Sequence, residues 1–139
     1  WTNISDGRFK KNIKENVRGL DFILQLRPVT YNLDIALLNN SLGVTESKLW
    51  NDDMQQAARE KEQLVQSGFI AQEVEAVAKS LGYNFSGIDR PRNEKDLYGL
   101  RYAEFVVPLV KAMQEQQALI AALQKQVNEL SRQLKKSNN

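Results

Sequence analysis

In the last third of the chain, apolar residues fall at Val106, Leu109, Met113, Ile120, Leu123, Val127, Leu130 and Leu134. The steps alternate three and four, and Gln116 is the one polar residue in the series. This spacing draws a narrow apolar stripe along an α-helix and repeats it every seven residues, the pattern of a coiled-coil seam. Val106, Met113, Ile120, Val127 and Leu134 share one seam position; Leu109, Gln116, Leu123 and Leu130 share the other. The pattern predicts a helix about 42 Å long from Leu109 to Lys136, at 1.5 Å per residue. Pro108 is expected in or near its first turn. The flanks are polar throughout, which favours association with other helices over packing of the seam on its own domain. In a parallel coil, β-branched residues at the first position with Leu at the second favour two strands. Ile120 and Val127 follow that rule, but Met113 and Leu134 do not, so the pattern leaves dimer and trimer open.

Upstream the periodicity changes. Ile13, Val17, Leu20, Ile23 and Leu24 recur at helical spacing interrupted by Gly19, predicting two short helices that stop before Pro28. Val29, Tyr31 and Leu33 alternate with Thr30, Asn32 and Asp34, predicting a short strand with one buried face. Residues 36–67 read as an insertion. Asn39, Asn40, Ser41 and Gly43 mark a loop, and Thr45 is expected to cap a charged helix of about twenty residues through Met54 and Leu64 to Gly68. Phe69 and Ile70 should be extended; Val74, Val77, Ala78 and Leu81 then form one helical face ended by Gly82. Tyr83–Phe85 and Leu97–Tyr102 read as short strands on either side of a polar loop. The expected fold class is α+β and mainly helical. A small globular region with short strands, residues 1–104, precedes the long C-terminal helix of residues 105–139.

Composition mostly removes possibilities. At 139 residues and 42% apolar, the chain suits one domain with a modest core. Nineteen basic and 17 acidic residues leave a net charge of +2, which gives no mandate for nucleic acid. No apolar run reaches the ~18 residues of a membrane span, and no signal-peptide pattern is present. The first residue is Trp, so the chain reads as a piece of something longer. The absence of Cys and His matters more. It removes disulfides, the usual zinc sites, and every Ser-His or Cys-His catalytic arrangement. No metal site and no cofactor are expected, and any general base must be Lys, Tyr or a carboxylate.

Residues 5–10 read Ser-Asp-Gly-Arg-Phe-Lys and hold the kind of nucleophile–base pair still available, Ser5 with Lys10. A neutral lysine amine can take a hydroxyl proton, but a free lysine is charged at pH 7. Burial or nearby cations must favour the neutral form, and Arg8, Lys11 and Lys14 are close in sequence. Five residues is not one face of a helix or strand, so a turn at Asp6-Gly7 must bring the pair together. Spacing does not separate this reading from an ordinary Ser-Asp-Gly turn.

Ser5 through Ile13, Ser-Asp-Gly-Arg-Phe-Lys-Lys-Asn-Ile, resembles the opening motif of the self-cleaving chaperone domains at the C-termini of phage endosialidases, tailspikes and tail fibres. Three further blocks match in order: Leu26-Arg27-Pro28-Val29-Thr30-Tyr31, Gly68-Phe69-Ile70-Ala71-Gln72-Glu73-Val74, and Tyr102 through Leu109 leading into Lys111-Ala112-Met113-Gln114-Glu115. The charged segment 36–67 departs from the short phage versions. The resemblance implies a homotrimer closed by a parallel coil on the seam Leu109, Met113, Ile120, Leu123, Val127, Leu130 and Leu134. It implies Ser5 as nucleophile, Lys10 as base and cleavage between Ile4 and Ser5, with Asp6 and Arg8 as supporting motif residues. The implied partners are two further copies and the upstream stalk or fibre of the same polypeptide, with no nucleic acid and no membrane. The implied setting is a phage tail fibre or tailspike, or a fibrous protein that is secreted or on a bacterial surface. A non-catalytic trimerisation cap and a coiled-coil interaction module are the alternatives.

Overall fold

The computed structural model describes residues 4–44, 51–94 and 96–137. In chain order the elements are α1 (Leu20–Ile23), β1 (Val29–Tyr31), α2 (Ile35–Ser41), α3 (Asp52–Glu62), β2 (Gln66–Gly68), α4 (Ala71–Ser80), β3 (Ile88–Asp89), β4 (Gly99–Leu100) and α5 (Val106–Ser137). Short 3-10 turns lie at Gly7–Phe9 and Tyr102–Phe105. Helices and small strands are mixed, helix predominates, and a long helix ends the chain, as the patterning predicts. The chain divides into two compact units, Trp1–Ile23 with Phe105–Asn139, and Leu24–Glu104.

The first unit is built on α5. Its 32 residues span about 48 Å at 1.5 Å each. Pro108 falls in the first turn, where a missing N–H costs no helical hydrogen bond. Lys135 and Lys136 lie in the last turn, against the partial negative charge there. Within this unit α5 uses one face. Pro108 and Ala112 are buried, Lys111 and Glu115 half-buried, and the spacing i, i+3, i+4, i+7 puts all four on one side. Helix α1 packs against α5. Phe22 of α1 is fully buried and stacks on Phe105, ring centroids 6.5 Å apart. The heptad seam is a different face: from Val106 to Leu134 its apolar residues are 45–69% exposed.

Only one of the two helices expected near the N-terminus forms. Residues 10–19 are irregular and Ile13 is exposed. Asn12 has a left-handed φ of 54°, so no right-handed helix runs through it into Ile13.

In the second unit, β1 and β2 pair antiparallel with Val29 opposite Gly68, Thr30 opposite Ser67 and Tyr31 opposite Gln66. Gly68 is required by its neighbour: a Cβ there would sit 2.3 Å from the Tyr102 hydroxyl oxygen. That hydroxyl accepts the Phe69 N–H at 3.1 Å, and the Phe69 and Tyr102 rings stack at 6.2 Å. The strand predicted to reach Leu33 stops at Tyr31, because Asp34 instead caps α2 and accepts the Leu37 N–H at 2.7 Å. Asn39–Ser41, expected in a loop, therefore lie in a helix whose Ile35 is buried. The charged helix is shorter than expected. Asn51 caps α3, accepting from Met54 N–H at 3.0 Å, while Thr45 lies outside the described residues. Helix α3 buries none of its side chains; Asp52 and Asp53 in its first turn and Arg59 and Lys61 in its last suit its dipole, and its last residue, Glu62, accepts from Asn32 Nδ2 and Ala36 N–H, both at 2.9 Å. It ends at Glu62, so Gln66 and Ser67, read as part of the insertion, are strand residues.

Helix α4 follows the prediction, and Gly82 after it has φ +59°, the left-handed stop that glycine permits. Val74 and Ala78 enter the core with Phe85 and Ile88. Tyr83–Phe85 is not a strand: Tyr83 N–H returns to the Ala78 carbonyl at 2.8 Å as part of the helix end. The second small ribbon is instead β3–β4, with Ile88 opposite Leu100 and Asp89 opposite Gly99. Only the centre of the strand expected over Leu97–Tyr102 forms, because Tyr102 already belongs to the 3-10 turn leading into α5.

Candidate active site

The site begins with a five-residue spacing that no regular element closes. Asp6 closes it. Its backbone is extended, and its carboxylate accepts the Arg8 N–H at 3.0 Å, capping the turn Gly7–Phe9. Phe9 N–H donates to the Asp6 carbonyl and Lys10 N–H to the Gly7 carbonyl, both at 3.1 Å. The chain doubles back, and Lys10 Nζ donates to Ser5 Oγ at 2.9 Å. Ser5 and Lys10 are thus in direct contact, and both are exposed in the single chain, as is Ile4.

Asp6 and Arg8 hold each other. Arg8 Nε lies 3.1 and 3.0 Å from the two Asp6 oxygens, and Nη2 lies 2.6 Å from Oδ2. The Arg8 guanidinium and then its backbone N–H hold the Asp6 carboxyl below the usual carboxylate range. Its Cζ also lies 5.7 Å from the centre of the Phe9 ring. Arg8 is expected from the sequence both as a motif residue beside Asp6 and as a cation near Lys10. Its charge is matched by Asp6 instead, so Arg8 serves the turn. Lys11 and Lys14 are exposed.

The seam residues Leu109, Met113, Ile120, Leu123, Val127, Leu130 and Leu134 lie along α5, each turned to solvent in the single chain. Two residues with defined work were not singled out by sequence. Asn12 takes the left-handed conformation that Asn tolerates better than other non-glycine residues. Glu75 is 7% exposed and collects three partners: Arg90 Nε, Lys79 Nζ at 3.0 Å and the Tyr98 hydroxyl at 2.9 Å. Arg90, then Lys79 and Tyr98, lower its pKa to about 2. A glutamate in the middle of an apolar helical face, Val74-Glu75-Ala78, was the available signal. Among the described residues no cluster of acidic side chains could hold a metal ion, and no helix is long and apolar enough to cross a membrane.

The profile of a family described as chaperone of endosialidase matches residues 5–83, starting at the serine that contacts Lys10. The match covers more than half of the chain, and the chain belongs to that family. No curated protein and no solved structure gives a significant match.

Proposed function

We propose that this chain is a self-releasing trimerisation domain. Three copies close a parallel coil through the α5 seam and hold an upstream fibrous polypeptide in register while it folds. They then cut themselves free at Ser5. In this reading residues 105–139 are the coil, residues 1–104 form the processing and chaperone part, and 36–67 contain a variable insertion. The setting is a phage tail fibre or tailspike, or a bacterial surface or secreted fibre. The observation that carries the reading is the 2.9 Å contact between Lys10 Nζ and Ser5 Oγ, made by a turn that Asp6 and Arg8 build.

The chemistry needs no cofactor. Ser5 Oγ attacks the carbonyl carbon of Ile4, and its proton passes to the neutral Lys10 amine. The Ile4–Ser5 C–N bond breaks as Lys10 returns a proton to the departing nitrogen, leaving an ester between Ile4 and Ser5 Oγ. Water then hydrolyses the ester, giving a carboxylic acid at Ile4 and restoring the serine hydroxyl. Proximity is built into the chain, so folding has to add orientation and a neutral amine. An ammonium has no lone pair with which to accept, and in the single chain Lys10 acts as a donor to Ser5 in open solvent. Exclusion of water from the pair therefore has to come with assembly.

The test is intact mass of the chain carrying its natural upstream stalk. Wild type should give two products divided at Ile4–Ser5. Ser5→Ala should stay whole because a methyl forms no ester. Lys10→Ala and Lys10→Arg should stay whole because neither supplies a neutral amine. A stalk-bearing wild-type trimer that remains intact would leave a non-catalytic trimerisation cap.

A further inference from the structure

Glu115 projects from the third turn of α5, off the seam and on the face that meets α1. Its Oε2 accepts the backbone N–H of Leu20, the first residue of α1, at 2.8 Å. Its Oε1 lies 3.5 Å from Lys111 Nζ, one helical turn earlier. Gly19 is packed directly beneath: a Cβ there would lie 2.4 Å from Glu115 Oε2 and 2.9 Å from Lys111 Cγ. A carboxylate accepting a helix's first free N–H is a strong cap, because the acceptor is charged and the end of the helix is partly positive.

This cap has a mechanical consequence. Helix α1 has one turn and packs along α5. Phe22 stacks on Phe105, in the turn that leads into α5, and Glu115 holds the N–H that opens α1. That hydrogen bond fixes the point at which the preceding arm leaves α5. That arm carries the dyad. Lys10 is nine residues from Gly19, a reach of at most about 30 Å at 3.3 Å per residue. We propose that Glu115 is a positioning residue for self-cleavage: it clamps the arm bearing Ser5 and Lys10 to the helix that zips. Formation of the coil then confines three arms at a set position. Glu115 touches neither Ser5 nor Lys10 and acts only through the arm.

The inference rests on the self-cleavage reading, and one experiment separates them. Cleavage rates are measured by mass spectrometry on the stalk-bearing chain, with trimer content followed by sedimentation. Glu115→Ala should cut at least about tenfold more slowly, the equivalent of about 1.4 kcal/mol in the barrier, with trimer content unchanged. Glu115→Gln keeps a carbonyl oxygen for the Leu20 N–H and loses only the ion pair, so it should cut within about threefold of wild type. Gly19→Ala should be slow like Glu115→Ala, because the added methyl displaces the carboxylate. Rescue by Gln is the result a merely electrostatic role for Glu115 would not give. Wild-type cutting with Glu115→Ala equally fast, or Gln as slow as Ala, overturns the clamp alone. An uncut wild-type trimer overturns the self-cleavage reading and the clamp with it.

Discussion

Leu123→Ala tests association through the seam with a magnitude the structure supplies. Leu123 is 59% exposed in the single chain. Full burial of a leucine side chain is worth about 1.5–3 kcal/mol, so closing a coil over the exposed part contributes about 1–2 kcal/mol per chain. Three chains share the layer, which makes about 3–5 kcal/mol per trimer. At 1.4 kcal/mol per factor of ten, the trimer dissociation constant rises by roughly two to three and a half orders of magnitude. The midpoint concentration scales as the square root of that constant, so it should rise about 10- to 60-fold. Val107→Ala is the control. Val107 is 58% exposed, nearly the same as Leu123, but sits one residue after the seam position of Val106. Its loss should move the midpoint by no more than about twofold if only seam positions enter the coil. Sedimentation equilibrium across a concentration series reads both variants. Equal effects of the two substitutions, or a wild-type chain that is monomeric at micromolar concentration, would refute the seam.

The polar layer predicts the opposite sign. In the proposed trimer Gln116→Leu replaces three amides at one layer of the seam, so the trimer should tolerate more urea, by roughly 1 kcal/mol per chain, while cross-linking detects chains out of register. Acid should loosen the unit Leu24–Glu104 through Glu75. Its folded pKa is depressed to about 2 from 4.5, so its stabilisation is complete above about pH 4.5 and disappears as pH falls towards 2. Glu75→Gln should lose stability at neutral pH and show a flatter acid response by near-UV circular dichroism; an unchanged slope would place the acid sensitivity elsewhere. Replacing residues 43–60 with a short Gly-Ser bridge should leave the oligomer intact, because α3 buries no side chain. Extending the deletion through Gln66 should not be tolerated. It removes a strand pair with Tyr31, and Glu62, whose carbonyl accepts from Asn32 Nδ2 and whose carboxylate accepts from Ala36 N–H.

Long-period features were legible from sequence, and those decided by a single distant contact were not. The α5 stripe repeats over four heptads, so no one residue can hide it, and helix α4 is bounded by a glycine whose left-handed φ needs no partner. The helix expected over Ile13 and Val17 does not form; Ile13 is 75% exposed, so the apolar spacing there has no core to pack on. Strand β2, Gln66-Ser67-Gly68, has no apolar alternation at all; it exists through pairing with Val29–Tyr31 and the space Gly68 leaves for Tyr102. At the site, the need for a turn was readable from the five-residue gap. The exchange that makes Arg8 a partner of Asp6 instead of a neighbour acting on Lys10 was not. Both arrangements place the same charges within a few residues, and only geometry separates them.

If the chain releases itself as proposed, the exposed dyad and the exposed seam raise one question, what delays the cut until three chains meet. A Ser–Lys pair formed by local turn hydrogen bonds is available once six residues are ordered, long before three chains meet. If contact were sufficient, release would precede registration, and an upstream fibre would lose its clamp before its slow, non-local pairing had begun. In the proposed mechanism contact is not sufficient, because an ammonium has no lone pair with which to take the serine proton. On this proposal assembly has to supply the removal of water, and α5 is joined to the arm through Leu20 and Glu115. Cleavage should therefore follow the concentration dependence of assembly. Dilution through the trimer midpoint should slow it in proportion to the trimer fraction. Leu123→Ala should shift that curve to higher concentration by the same factor that it shifts sedimentation. A cleavage rate indifferent to dilution would mean that the single chain already completes the site, and coupling between seam and serine would have to be abandoned.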